Sequence, residues 1–373
     1  MKTPEIGILG GGQLGLMMAQ AATNWHLEPL FLDPETKPAV FPYGLCQKGS
    51  FRDYSTVLEF GRQFGLVSFE IEDVNTQALF QLESEGIRVF PQTRVLEIIR
   101  NKGRQKAFLQ ENGFPTAPWK DYRSGMPADP DFFPSFWKQE EGGYDGKGVR
   151  KIKNQSDLAS LPDLPGFLEK AVSIEKELAI LVARSETGEV RTFPLVEMVF
   201  HPTAHLVEYL QTPAIVDAEI ESICSDIATA LIKKLEMTGL LAVEFFLDVN
   251  GKVLVNELAP RPHNSGHHTI ETHATSQFEQ YWRAILGLPL GETRPVYAWS
   301  AMLNLVGEPD YTGPPVYEGL EKVLDMDRVW VHLYGKAETR PFRKMGHITL
   351  AADSLADLKQ KVSFVQNQLK VIA

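Results

Sequence analysis

Glu244 and Glu257 lie in two apolar runs, 240–249 and 252–258, joined by Asn250-Gly251. A two-residue Asn-Gly turn fixes an antiparallel register. It sets Val249 against Lys252, Leu247 against Leu254 and Glu244 against Glu257. Carboxylates opposed on one face repel unless a cation lies between them. Mg²⁺, with Mn²⁺ as a substitute, takes carboxylate oxygens together with substrate phosphates and water. The pair therefore reads as a metal site, and Asn256 adds a neutral oxygen beside it. The competing reading is two exposed glutamates at a sheet end, against which the apolar neighbours argue.

Three other stretches carry chemistry. Gly142-Gly143-Tyr144-Asp145-Gly146-Lys147-Gly148 has four glycines in seven positions between two strand-like runs. Glycines let backbone N–H groups approach phosphate oxygens. Lys138 and Lys147 flank the loop, which reads as a mobile phosphate lid rather than a hairpin tip. No Walker Lys-Ser/Thr follows, so it is not a P-loop. Arg261, His263, Asn264, Ser265, His267 and His268 leave the second glutamate strand. They lack thiolates and helical spacing beside an acid, so zinc is a weak reading. Arg261 can instead fork onto an anionic substrate. Lys336, Arg340, Arg343 and Lys344 stand against a lone Glu338 and read as a phosphate clamp or a solvated turn.

The N-terminus carries Gly10-Gly11-Gly12-Gln13-Leu14-Gly15 after an apolar run, and Asp33 ends the next one. Read literally this is the dinucleotide fingerprint. A tight strand-to-helix turn that binds another anion, or nothing, is weighed about evenly with it.

These side chains need elements to position them. Strand-like runs at 5–9, 28–33, 66–69 and 87–90 alternate with helical spacing at 13–23, 57–64 and 76–85, which implies a parallel sheet with helices on both faces. A helix over 102–111 stops at Asn112-Gly113 and Pro115. Dense Pro and Gly from 113 to 134 mark the crossing into a second unit. There, strands at 136–138, 149–152 and 167–170 surround the glycine loop. Longer strands at 178–183, 190–196 and 205–210 follow, then a helix over 218–237, the glutamate hairpin, and a helix over 277–286. The remainder is strand-rich (298–305, 329–333, 347–350) with a final helix over 355–369.

The chain has 373 residues, 43% apolar and 23% charged, which suits two or three globular domains. No apolar run approaches the ~20 residues of a membrane helix, and the N-terminus has no signal-peptide h-region. Two cysteines give neither a disulfide framework nor a thiolate zinc site. A cytoplasmic enzyme is expected. A net charge of −11 argues against a nucleic-acid binder.

Taken in order, Gly-Gly-Gly-Gln-Leu-Gly, Lys138 before the glycine loop, Asn256-Glu257-Leu-Ala-Pro-Arg-Pro-His-Asn-Ser-Gly-His, and Arg343-Lys-Met-Gly-His resemble the carboxyaminoimidazole ribonucleotide synthetase family of purine biosynthesis. That family belongs to the ATP-grasp superfamily, and the resemblance spans essentially the whole chain. It implies a mixed α/β and α+β fold: an N-terminal doubly wound parallel-sheet domain (1–101), a small lid domain (102–172), a large antiparallel-sheet catalytic domain (173–295) and a strand-rich C-terminal subdomain (296–373). ATP is expected to bind Lys102, Lys138, residues 142–148, Glu169, Lys170, Val172, Glu177, Asn256 and Glu257, with Mg²⁺ on Glu244 and Glu257. Aminoimidazole ribonucleotide would use Gln13, Leu14, Glu70, Tyr144, Asp145, Lys336 and Arg343. Bicarbonate, the co-substrate, would lie by Arg261 and His263; Arg261, Asn264 and Ser265 would also be substrate-binding, and Arg261, His263 and Tyr144 would be catalytic. The family often has a histidine where Phe200 stands here, followed by His201. A homodimer is expected, with no NAD, nucleic acid or membrane partner.

The alternatives are another ATP-grasp ligase acting on a phosphorylated ribonucleotide, a nucleotide sensor, and an NAD-dependent oxidoreductase. The last leaves the glutamate pair and the second glycine loop unexplained.

Overall fold

The computed structural model describes residues 5–373 apart from 124, 127, 143–147 and 201–206. The expectations for Gly143, Tyr144, Asp145, Gly146, Lys147 and His201 therefore lie outside the described residues.

Strands β1 (Ile6–Leu9), β2 (Leu30–Asp33), β3 (Leu45–Lys48), β4 (Leu66–Phe69) and β5 (Arg88–Val89) form a parallel sheet in the order β3-β2-β1-β4-β5. Helices α1 (Gln13–Thr23), α2 (Tyr54–Gly61) and α3 (Thr76–Ser84) make the crossovers. The order of strands reverses at β1, so the loops after β1 and β4 open a crevice between them. Gly10–Gly12 and Glu70 lie in those two loops. The edge strand β3 is absent from the sequence reading. Its residues are exposed or half-buried, so it carries no apolar alternation.

Two more helices, α4 (Thr93–Arg100) and α5 (Lys102–Glu111), meet at Asn101. Asn101 has extended backbone, and its side chain accepts from Arg104 N–H, capping α5. A four-stranded antiparallel sheet follows, in the order β6-β9-β7-β8: β6 (Trp119–Tyr122), β7 (Ser135–Gln139), β8 (Val149–Ile152) and β9 (Gly166–Lys170). Tyr122, Trp137, Ile152 and Leu168 give it a small core of its own.

The remaining strands are β10 (Ile174–Arg184), β11 (Val190–Thr192), β12 (Val196–Phe200), β13 (Val207–Thr212), β14 (Gly239–Asp248), β15 (Val253–Ala259), β16 (Trp299–Val306), β17 (Val316–Glu318), β18 (Val329–Leu333), β19 (Lys344–Ala352) and β20 (Lys370–Ile372). All but β17 and β20, which pair with each other, join one antiparallel sheet. On one face α6 (Ala218–Lys234) buries Cys224, Ala228, Leu231 and Ile232 against Leu178, Val182, Leu241 and Val243. Short α7 (Thr269–Thr272) leads to α8 (Gln277–Ile285) on the other face. There Tyr281 and Trp282 share one core with Met17 and Met18 of α1. The Trp282 indole N–H donates to the Met18 carbonyl at 2.9 Å. Helix α9 (Leu320–Leu324) and α10 (Leu355–Gln368) cover the C-terminal strands. Among the described residues no helix is long and apolar enough to cross a membrane.

The glutamate hairpin departs from the expected register. Leu247 pairs with Val253, not Leu254, and Phe246 takes Leu254. The connection has three residues, Val249 to Gly251: Asp248 N–H donates to the Lys252 carbonyl at 2.9 Å, and Gly251 has φ +78°. The Asp248 carboxylate accepts from the Asn250 and Lys252 N–H groups and so favours the longer turn. That slips the register by one residue. A bulge at Asn256 slips it back, and Glu244 pairs with Glu257.

Candidate active site

Glu244 on β14 and Glu257 on β15 face each other at the bulge. Burial, then the charges of Glu257 and Glu177, push the Glu244 carboxyl up to about 8. Burial and like charge thus favour its protonated form. Lys102, the first residue of α5, stands 3.2 Å from the Glu257 carboxylate. A proton on one acid and an ammonium beside the other relieve the repulsion that opposed carboxylates create. Both are the kind of charge that a divalent cation displaces. The bulge turns Asn256 into the same space, where its side-chain N–H lies 3.5 Å from Glu244. His263 Nε2 is 3.6 Å from the other Glu244 oxygen. Burial, then Arg261 and Lys344, lowers that imidazole to about 3, so it is neutral.

The small antiparallel sheet supplies the next cations. Lys138 on β7 reaches the Glu169 carboxylate on β9 at 2.6 Å and donates to Asn256 Oδ1 at 3.3 Å. The other Glu169 oxygen is ion-paired with Lys106 of α5, which also donates to Thr116 Oγ1 at 2.6 Å. Burial works against the Glu169 carboxylate, but Lys138 and Lys106 outweigh it and hold its pKa below the usual range. Lys170 follows on the opposite face of β9 and turns away, donating to the Asp131 carbonyl at 3.1 Å. Val172 is half-buried just beyond the strand. Burial raises the Glu177 carboxyl to about 7 against the pull of Lys138. Gly142 and Gly148 both have φ +78°, and the Gly148 carbonyl accepts from Gln139 N–H at 2.8 Å.

On the crevice side, the Gly-rich turn is filled by the chain's own acids. Gly11 N–H donates to Asp33 Oδ2 at 2.8 Å, and Glu35 N–H donates to Asp33 Oδ1 at 2.8 Å. Gly12 N–H donates to Glu70 Oε1 at 2.8 Å. The acid that a dinucleotide fingerprint offers to ribose is thus spent on the loop itself, which corrects the literal reading of that motif. A Cβ at Gly12 would lie 2.9 Å from Glu70 Oε1, so glycine is what lets the carboxylate lie there. Burial raises the Glu70 carboxyl, with the Gly12 N–H opposing.

Gln13 Oε1 accepts from Lys336 Nζ at 3.1 Å, which brings the C-terminal basic segment to the same crevice. The Leu14 side chain lies in the shared core, which leaves only its backbone to face a ligand. Arg343 is half-buried and donates to the Glu338 carbonyl at 2.8 Å. Arg261 pairs with Glu72 at 3.1 Å. Ser265 is buried and lies 2.9 Å from His263 Nδ1, fixing the ring, while Asn264 opens the 3₁₀ turn beside it. His267 and His268 point into the core; Gln277 meets His267 Nδ1 at 3.0 Å.

The site is therefore one continuous polar seam. It runs from Gly12, Glu70 and Lys336 through Arg261 and His263 to Glu244, Glu257 and Lys102, and on to Lys138 and Glu169. Three members are missing from the sequence reading: Glu72, Asn101 and Lys106. Lys106 lies one helical turn after Lys102 on α5, and that spacing is the signal that places both on one face. Asn101, whose amide reaches both Glu140 and Glu141, ties α5 to the start of the glycine loop.

Sequence profiles match the chain in three parts: a ribonucleotide synthetase preATP-grasp domain over residues 1–100, an ATP-grasp domain over 107–278, and a phosphoribosylaminoimidazole carboxylase C-terminal domain over 300–361. The N5-carboxyaminoimidazole ribonucleotide synthase of Bacillus subtilis is 35% identical, over 92% of this chain and 90% of its own. The chloroplastic phosphoribosylaminoimidazole carboxylase of Vigna aconitifolia is 34% identical over 96% of this chain, which spans only 66% of that longer protein. The crystal structure of N5-carboxyaminoimidazole ribonucleotide synthetase from Thermotoga maritima superposes with a TM-score of 0.90 at 38% identity, covering all of both chains. The Aspergillus clavatus N5-carboxyaminoimidazole synthase, in complex with ADP and 5-aminoimidazole ribonucleotide, superposes with a TM-score of 0.86 at 29% identity over 98% of each chain.

Proposed function

The chain belongs to the N5-carboxyaminoimidazole ribonucleotide synthase family of ATP-grasp ligases, and on that premise we propose how its own residues divide the reaction. It is an ATP-dependent ligase of purine biosynthesis. In this reading the carboxyl donor is bicarbonate and the acceptor is the amine of 5-aminoimidazole ribonucleotide. Bicarbonate is a poor electrophile. Transfer of the ATP γ-phosphoryl group to a bicarbonate oxygen releases ADP and gives carboxyphosphate. Loss of phosphate delivers CO₂ to the amine, which gives up a proton as the N–C bond forms.

Such a transfer needs positioning and charge neutralisation more than a protein nucleophile. Lys102 and Lys138 bind the phosphates, and residues 142–148 close over them. Glu169, Lys170 and Val172 follow the adenine, and Glu177 holds the ribose. Mg²⁺ fits Glu244 and Glu257, because an opposed, half-buried carboxylate pair otherwise holds a proton and Lys102. When bound it neutralises phosphate charge, as two carboxylates with phosphate oxygens and water suit it. Arg261 forks onto the bicarbonate-derived anion. Neutral His263, fixed by Ser265, orients it without adding charge. Glu70, Gln13, Lys336 and Arg343 take the ribonucleotide, with Tyr144 and Asp145 of the lid. The units run 1–101, 102–172, 173–295 and 296–373, with ATP between the second and third, and the chain works as a homodimer.

The observation that carries this reading is the approach of His263 to Glu244 at 3.6 Å, with the charge of Arg261 acting on both His263 and Glu70. The test is ADP release. Aminoimidazole ribonucleotide with bicarbonate should stimulate it strongly. Stimulation by glycinamide ribonucleotide with formate instead would move the chain to a different ATP-grasp ligase.

A further inference from the structure

Lys106 has no part in the chemistry above, yet it is one of the most deeply buried charges in the molecule, 2% exposed. Burial pulls its ammonium down, and Glu169 opposes that pull. A buried lysine is costly unless paired and hydrogen-bonded. Here Glu169 supplies the pair and Thr116 the hydrogen bond. Thr116 is itself anchored, donating to the Val255 carbonyl of β15 at 2.8 Å. The second Glu169 oxygen holds Lys138 at 2.6 Å.

The three side chains form a row of cation, anion, cation across α5, β9 and β7. Their charges matter as a sum. With both lysines the row carries one surplus positive charge, and the outer lysine, Lys138, faces Asn256 and the cleft. Without Lys106 the row is a neutral pair, in which Glu169 consumes the whole charge of Lys138.

We infer that Lys106 is a positioning residue that neutralises Glu169 so that the charge of Lys138 remains available to the phosphates of ATP. The inference rests on the proposed ATP site, and its test separates the two. Nucleotide affinity is measured by titrating Mg-ATP into the full-length protein, with the KM of the ribonucleotide as control. Lys106→Met should weaken ATP binding about tenfold or more, the scale of one hydrogen bond to a charged group. The ribonucleotide KM should stay within about twofold. Lys106→Met with Glu169→Gln restores a row of one positive charge and should bind ATP at least fivefold more tightly than Lys106→Met. A packing role predicts the reverse, because two buried groups have been altered instead of one. A double variant as weak as the single one overturns the inference.

Lys138→Met also leaves a neutral row and should match Lys106→Met. If Lys106→Met does not fold, the double variant is compared with Lys138→Met and should bind ATP several-fold more tightly; equal weakness overturns the inference. If Lys138→Met itself leaves ATP affinity unchanged, the ATP site is misplaced. If Lys138→Met weakens ATP but Lys106→Met does not, only the role of Lys106 fails.

Discussion

Glu244 and Glu257 face each other across β14 and β15 because two irregularities cancel. The three-residue turn at Val249–Gly251 displaces the strands by one residue, and the bulge at Asn256 restores them. The bulge has a second effect. It rotates Asn256 into the cleft, where it accepts from Lys138 and lies beside Glu244. A regular strand would give Asn256 the face opposite to Glu257.

The two glutamates are not equivalent, so their amides should behave differently. Burial and like charge favour the protonated form of Glu244, and Glu244→Gln should leave the ligand-free protein within ~0.5 kcal/mol of the parent. Glu257→Gln takes the counter-charge from Lys102 and should cost up to about 1 kcal/mol, since Glu257 is partly solvated. Both should lose the stabilisation that Mg-ATP gives and fall by orders of magnitude in ADP release. Thermal unfolding with and without Mg-ATP checks this; a free Glu257→Gln protein more stable than Glu244→Gln would contradict it.

The raised Glu244 carboxyl also sets a pH dependence. Its folded pKa of about 8 stands above the ordinary value near ~4.3. Between the two, the folded state binds the extra proton, so stability from this group is full below the lower value and is lost as pH rises through about 8. Glu177, raised to about 7, adds the same sign. The melting temperature of the free protein should therefore drop from pH 6 to 9, and less steeply in Glu244→Gln.

Cation binding should expel that proton. Calorimetric titration of preformed Mg-ATP in buffers of different ionisation enthalpy should show proton release at pH 7 and much less at pH 9. Glu244→Gln should reduce the release at pH 7. Equal release by parent and variant would mean that Glu244 does not hold the ion.

At the other end of the seam, Gly12→Ala places a methyl 2.9 Å from Glu70 Oε1. Lys336→Met removes the cation that holds Gln13. Each should raise the ribonucleotide KM roughly ten- to a hundredfold, the scale of a lost charge-assisted hydrogen bond, and spare the KM of ATP. An equal rise in both constants would show that this crevice is not a separate ribonucleotide subsite.

Much of this was legible in the residues. The α5 span, the parallel N-terminal rhythm and the opposed glutamates follow from caps, periodicity and spacing. A two-residue turn predicts the glutamate pairing, whereas the actual turn has three residues and only the bulge at Asn256 restores that pairing. The sequence gives no clear sign of that bulge. Helix α4 is absent from the sequence reading although Val95, Leu96 and Ile99 bury one face. Its end and the start of α5 share Asn101, and no glycine or proline separates them. The Asp33 and Glu70 carboxylates could not be assigned to Gly11 and Gly12 from sequence, because the same glycines suit a bound phosphate equally well. Lys106 reads as an ordinary helical lysine until β9 is folded against it.

The most direct test of the central claim is where the oxygen goes. If ATP activates bicarbonate, turnover with ¹⁸O-labelled bicarbonate and aminoimidazole ribonucleotide must move one labelled oxygen into each phosphate released, because the bridging oxygen of carboxyphosphate leaves with phosphorus. Mass spectrometry of the phosphate measures this. One bicarbonate oxygen per phosphate is the result expected here; phosphate whose new oxygen comes from water would contradict the account.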